Sequence, residues 1–222
     1  MSSPKVGAAN FARWISHPGY YVVVAELDGC IVGSNVLDER SAIAGVGPLI
    51  VAPAVQNRTI GRQLMLAVLQ RVAERGRPGV RLVQAAYHSR SLCLYTKMGF
   101  EVRELLVNLQ GPTLALQVPG YTVRQAIEED FEECNALCRR IHGHDRSGEL
   151  LEAIQQGTAT VVQQGNYITA YATVLGFWGH AVGKNNIDIQ ALIGAAPEFV
   201  EPGFILPARN RELFGWCLTH GL

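Results

Sequence analysis

The stretch VAPAVQNRTIGRQLM, residues 51–65, decides how the rest of this chain reads. An apolar, strand-like run ends at Pro53. Gln56, Asn57 and Arg58 follow as a polar turn, and a segment of helical spacing opens at Thr59, Ile60, Gly61 and Arg62. The first turn of a helix carries backbone N–H groups with no internal partner. The helix dipole adds partial positive charge at the same place. A phosphate set there collects several hydrogen bonds at once. Gly61 has no side chain to keep a ligand off the backbone. Arg58 and Arg62 supply guanidinium groups suited to phosphate oxygens. A strand, a turn and a helix with these residues read either as a phosphate cradle or as a surface helix whose glycine and arginines are merely solvated.

Outward from this point the elements alternate. YYVVVAELDGCIVGSNVL (20–37) reads as a hairpin turning at Asp28-Gly29. IAGVGPLIVAP (43–53) reads as a further strand closed by proline. From Ile60 to Arg75, apolar residues at 60, 64, 65, 68, 69 and 72 make one helical face, and Gly76 and Pro78 end it. VRLVQAAY (80–87) is a predicted strand, SRSLCLYTKM (89–98) a short helix, and EVRELLVNL (101–109) a closing strand. The order predicts an α/β fold of mixed α+β type, with helices layered on a sheet. GPTLALQVPG (111–120) has the turn residues of a linker. We expect domains at 1–118 and 119–222.

The second half repeats this order. YTVRQAI (121–127) is a predicted strand, 128–143 and 147–157 predicted helices, and 158–177 a hairpin turning at Gly165-Asn166. VVVAELDGCIVGSNVL parallels ATVVQQGNYITAYATVL, and GPLIVAPAVQNRTIGRQLM faintly parallels PGFILPARNRELFGWCL.

Lys+Arg and Asp+Glu both number 19 in the 222 residues, so formal net charge is zero. That balance argues against a nucleic-acid partner, which calls for a basic excess or patch. No apolar run nears the roughly 20 residues that cross a bilayer. The start, MSSPKVGAANFARW, lacks a signal peptide's apolar core. A cytoplasmic protein without a membrane partner is expected. Cysteines 30, 93, 134, 138 and 217 form no C-x-x-C pair and read as reduced thiols. Cys134, Cys138 and His142 recur at four-residue steps, but a structural metal site takes four ligands in a tetrahedral array. That spacing reads as core, and no metal is expected. Trp178, His180 and Trp216 read as packing residues or pocket walls.

VAPAVQNRTIGRQLM resembles the acetyl-CoA pyrophosphate loop of the GNAT superfamily of N-acyltransferases. Its pattern is Arg/Gln-x-x-Gly-x-Gly/Ala, filled here by Arg58-x-x-Gly61-x-Gln63 with Gln56 ahead of it. Thr59 stands where many members have glycine, and Gln63 replaces the last small residue. HSRSLCLYTKMGF (88–100) is similar to the family's Asn-x-x-Ala-x-x-x-Tyr-x-x-x-Gly-Phe segment. Tyr95, Gly99 and Phe100 match; His88 and Ser91 replace the asparagine and alanine. The resemblance covers about residues 20–109. It implies a GNAT-like central mixed β-sheet flanked by helices, followed by a second, partial unit of the same kind.

The resemblance also implies roles. The backbone of Arg58, Thr59, Ile60, Gly61, Arg62 and Gln63, with Gln56, would hold acetyl-CoA. N–H groups of Leu49, Ile50 and Val51, on a strand flanked by prolines, would bind pantetheine and the acetyl oxygen. His88 would touch the cofactor. Tyr95 would give a proton to the departing thiolate, since a phenol's ordinary pKa of about 10 lies near an alkyl thiol's. No acid occurs in 41–53; Asp38 and Glu39 lie just before, and no base is assigned.

The expected activity is transfer of acetyl from acetyl-CoA to a primary amine, on a small molecule or a peptide. The alternative is a non-catalytic CoA-binding or interaction module. The second unit's cradle, PARNREL (207–213), lacks the glycine and carries Glu212, so it is expected to bind no acetyl-CoA. The first unit lacks a front strand and helix and the second lacks a back. Completion by the second unit, a homodimer partner, and a fragment of a longer chain are the readings left open.

Overall fold

The computed structural model describes residues 4–222, with side chains from residue 10 onward. Residues 1–3, which begin the stretch read for a signal peptide, lie outside the described residues. The chain divides into two compact units, one ending at Glu101 and one beginning at Val102. The fold is mixed α/β, with sheets flanked by helices.

In the first unit, helix α1 (Pro4–Ser16) precedes the hairpin β1 (Tyr20–Leu27) and β2 (Cys30–Asp38). The hairpin turns where expected: Asp28 and Gly29 both take positive φ, 51° and 76°, as a two-residue turn between twisted strands requires. The predicted strand 43–53 is broken in two. Strand β3 (Ala44–Val46) pairs β2 at Leu37 and Asp38, and β4 (Ile50–Val51) pairs it at Gly33 and Ser34. Gly47, at φ 118°, still donates its amide to Val36 O at 2.8 Å, and Pro48 and Leu49 leave the ladder. A single-turn 3₁₀ helix (Pro53–Val55) leads toward α2 (Ile60–Glu74).

Helix α2 buries Leu64, Met65, Val68 and Val72, the last three against Leu37, Ala44 and Val46. This is the apolar face read from its spacing. Strand β5 (Val80–Arg81) runs parallel to β3 and is far shorter than the predicted 80–87. The reason is a missing neighbour: β3 ends at Val46, which the register sets opposite Leu82, so the chain beyond Leu82 has no β3 residue to pair with. Helix α3 (Ser89–Lys97) closes the unit.

The division at 101–102 precedes the turn-rich stretch 111–120 where a linker was expected. Only Leu106–Leu109 of the predicted closing strand is strand β6, and it belongs to the second unit. Its ladder partner decides this. It pairs antiparallel with β11 (Phe204–Pro207), Phe204 opposite Leu109.

The second unit continues with β7 (Thr122–Gln125), α4 (Phe131–His142), α5 (Ser147–Gln155), and the hairpin β8 (Thr160–Gln164) and β9 (Tyr167–Ala172). These match the sequence reading. Strand β10 (Ala181–Gly183) and helix α6 (Asn186–Ala195) were not anticipated. Helix α7 (Arg211–Thr219) ends the chain, and β7 to β10 form one sheet in the order β10-β9-β8-β7. No helix among the described residues is long and apolar enough to cross a membrane.

Candidate active site

The site is built where β4 ends and α2 begins. The β4 ladder fixes which amides are free. Ala52 N donates to Val32 O at 2.8 Å, and the register places Ile50 opposite Ser34 and Val51 opposite Gly33. Bonded and non-bonded pairs alternate in an antiparallel ladder. The Ile50 amide is therefore spent on β2, and the Val51 amide faces the other way. On that side β4 has no strand partner among the described residues. Of the three donors expected at Leu49, Ile50 and Val51, the ladder takes Ile50's and leaves Val51's at an open edge.

The first turn of α2 has no side-chain cap. Its first helical bond at Thr59 is Gln63 N to Thr59 O, at 3.0 Å. The amides of Ile60, Gly61 and Arg62 thus have no intrahelical acceptor. The residue before the helix, Thr59, sits at φ 63°, the left-handed region that glycine enters freely and other residues rarely. So the position that calls for glycine's freedom is Thr59. Gly61 has ordinary helical φ, and a Cβ there would meet Val51, Leu94 and Leu49 at 3.7–3.9 Å, normal contact. The family pattern fits as well two residues earlier, as Gln56-x-x-Thr59-x-Gly61.

Arg58 and Arg62 are exposed and have no ion pair among the described residues. Gln56 is tied at both ends of its amide: Nε2 donates to Val51 O at 3.1 Å, and Oε1 accepts from Arg90 Nη1 at 2.6 Å. Arg90 is a cation beside the loop that sequence reasoning missed. Its signal was its place in the first turn of the short helix, but nothing local says that it reaches back to residue 56. Gln63 donates to Thr59 Oγ1 at 3.3 Å.

His88 is the N-cap of α3. Its Nδ1 accepts from the Ser91 amide at 3.4 Å and lies 2.6 Å from Ser91 Oγ. Tyr95, one turn further, is half-buried and packs 5.9 Å from Phe100 between ring centroids. Burial pushes its phenol above the ordinary value, and a hydrogen bond with Ser91 partly opposes this. Tyr95, Ser91 and His88 therefore form a polar file along one face of α3.

The two acids weighed as bases are committed elsewhere. Both Asp38 oxygens accept from Arg40, at 2.9 and 2.6 Å. Glu39 accepts from Arg71 Nε and Nη2, the latter at 3.0 Å, and its side chain is 8% exposed.

The stretch 207–213, compared in sequence with the cradle, is built differently. Helix α7 is capped by its own chain: Asn210 Oδ1 accepts from Leu213 N at 3.2 Å. Glu212 accepts from Asn186 at 2.8 Å. A side-chain cap and a carboxylate stand where α2 leaves bare amides.

Residues 18–102 match the family model of the acetyltransferase (GNAT) domain. That segment is a GNAT acetyltransferase domain. The family generally uses acetyl-CoA. No curated protein matches the chain. Among solved structures, AAC(6')-Iy with a CoA-S-monomethyl-acetylneamine bisubstrate analogue is 16% identical, with TM-score 0.44, over 50% of this chain and 81% of that one. The PaiA N-acetyltransferase of Thermoplasma acidophilum with coenzyme A is 22% identical, with TM-score 0.42, over 46% and 65%. The aminoglycoside acetyltransferase meta-AAC0020, from an uncultured soil metagenomic sample and in complex with trehalose, is 23% identical, with TM-score 0.42, over 50% and 76%.

Proposed function

We propose that the GNAT domain transfers an acetyl group from acetyl-CoA to a primary amine. The observation that carries this reading is the uncapped first turn of α2 beside the open edge of β4. The amides of Ile60, Gly61 and Arg62 bind the pyrophosphate, with Arg58 and Arg62 adding charge. Ala52 and Ile50 hold β4 on β2, so the Val51 amide stays aimed outward without reorganising. A fixed donor aimed at a developing oxyanion is worth about 3–4 kcal/mol in comparable sites. Tyr95 protonates the leaving thiolate, its ring packed against Phe100. The second unit, a degenerate partial copy with its cradle capped, binds no acetyl-CoA on this reading. Cytoplasmic placement and a homodimer remain expectations from sequence.

One observation favours the second reading, a CoA-binding module without catalysis. Asp38 and Glu39 are both locked to arginines, so neither is free to take a proton from the amine. Thiol release from acetyl-CoA over a panel of an aminoglycoside, free amino acids and peptide N-termini separates the two. Release with any acceptor supports transfer. Thermal stabilisation by acetyl-CoA without thiol release supports the module. Neither stabilisation nor release removes both.

A further inference from the structure

Within the second unit lies a cavity of about 480 Å³, in the range of small-molecule sites. Ile189, Phe204 and Leu206 supply apolar lining, and Arg146, His180 and Lys184 polar lining. No aspartate or glutamate among the described residues lines it. Arg146 is held in place rather than loose. Its Nε donates to Glu149 Oε1 at 3.1 Å and its Nη2 to Oε2, while Nη1 has no hydrogen-bond partner among the described residues.

The Arg146 side chain is 13% exposed. Glu149 is pinned from its other side by His180 Nδ1 at 3.2 Å, and His180 Nε2 lies 2.9 Å from the buried Tyr171 hydroxyl. Glu149 offsets the charge of Arg146, and both nitrogens of His180 are engaged. Burial holds that imidazole down to about 4, so it is neutral near pH 7. Lys184 is exposed and has no ion pair among the described residues. The lining is thus an apolar surface with no carboxylate of its own, the Nη1 end of a guanidinium whose other two nitrogens are held by Glu149, and an exposed ammonium with no ion pair among the described residues.

We propose that this cavity binds a small organic anion, its carboxylate against Arg146 and Lys184 and its apolar body along Ile189, Phe204 and Leu206. The site is separate from the acetyl-CoA reading and stands or falls without it.

Octanoate and its neutral counterpart octanamide, titrated calorimetrically into the full chain, test the proposal. Octanoate should bind at one site and octanamide at least fivefold more weakly. Lys184→Gln, at an exposed position, should weaken octanoate at least threefold and leave octanamide unchanged. Ile189→Trp should remove both, with near-UV circular dichroism confirming the fold. Absence of octanoate binding, equal binding of the two probes, indifference to Lys184→Gln, or displacement of octanoate by coenzyme A would overturn it.

Discussion

Tyr95 carries the sharpest test at the scale of single residues. Its phenol is raised above its ordinary value of 10, so it stays protonated through neutral pH and is available as an acid. Tyr95→Phe keeps the ring packed on Phe100 and removes only the proton donor. We expect kcat to fall about 10²-fold, within the usual worth of a positioned acid. KM for acetyl-CoA should stay within about twofold. An unchanged kcat takes Tyr95 out of the mechanism. Glu39 gives the complementary case. Glu39→Gln breaks a nearly buried clamp on Arg71 and should lower unfolding free energy by about 1–3 kcal/mol. Turnover of the folded enzyme should not change, because this carboxylate is a strut. A loss of turnover with intact stability would make Glu39 the base after all.

At the scale of elements, the cradle sets helix stability against ligand affinity. Arg62 is the third residue of α2, exposed and without an ion pair among the described residues. A carboxylate there suits the helix dipole by about 0.3–1 kcal/mol. The same carboxylate repels a pyrophosphate. Arg62→Glu should therefore hold or raise the melting temperature while weakening acetyl-CoA at least tenfold. Parallel loss of both would show that Arg62 is structural. The apolar face of α2 and the Asp28-Gly29 hairpin were legible because each follows from local period and turn chemistry. The length of β5 was not, since a strand lasts only while a neighbour lasts, and VRLVQAAY does not record where β3 stops. The break at 47–49 shows in sequence only as Gly47-Pro48. The residue types of the candidate cradle stand in the sequence itself. The left-handed turn at Thr59 and the bond from Arg90 to Gln56 do not, because both depend on how separate segments meet.

At the scale of the whole molecule, two units with separate cores should answer to different stimuli. Acetyl-CoA should act on the first and acid on the second. In the second unit, burial lowers His180 to about 4 from an ordinary 6.5, so the unfolded chain binds more protons between those values. Stability from keeping this imidazole neutral is present above pH 6.5 and is lost as pH falls toward 4. Burial alone would raise the Glu149 carboxyl; the His180 hydrogen bond and the Arg146 charge outweigh it and bring it far below the usual range. Its contribution is present above about 4.5 and is lost below, so the two add in one direction. Asp145, brought to about 2 by Ser147 and Asn135 against the opposing effect of burial, adds further loss at the acid end. Amide hydrogen exchange, corrected for intrinsic rates, reads both effects in one experiment. Saturating acetyl-CoA should slow exchange in 49–63 and leave 146–183 unchanged. Lowering pH from 6.5 to 4 should speed exchange in 146–183. Protection of 207–213 by acetyl-CoA would mean that the capped cradle of α7 binds cofactor too. Constant exchange in 146–183 down to pH 4 would mean that the Glu149–His180 pair is protonated in the fold as readily as outside it.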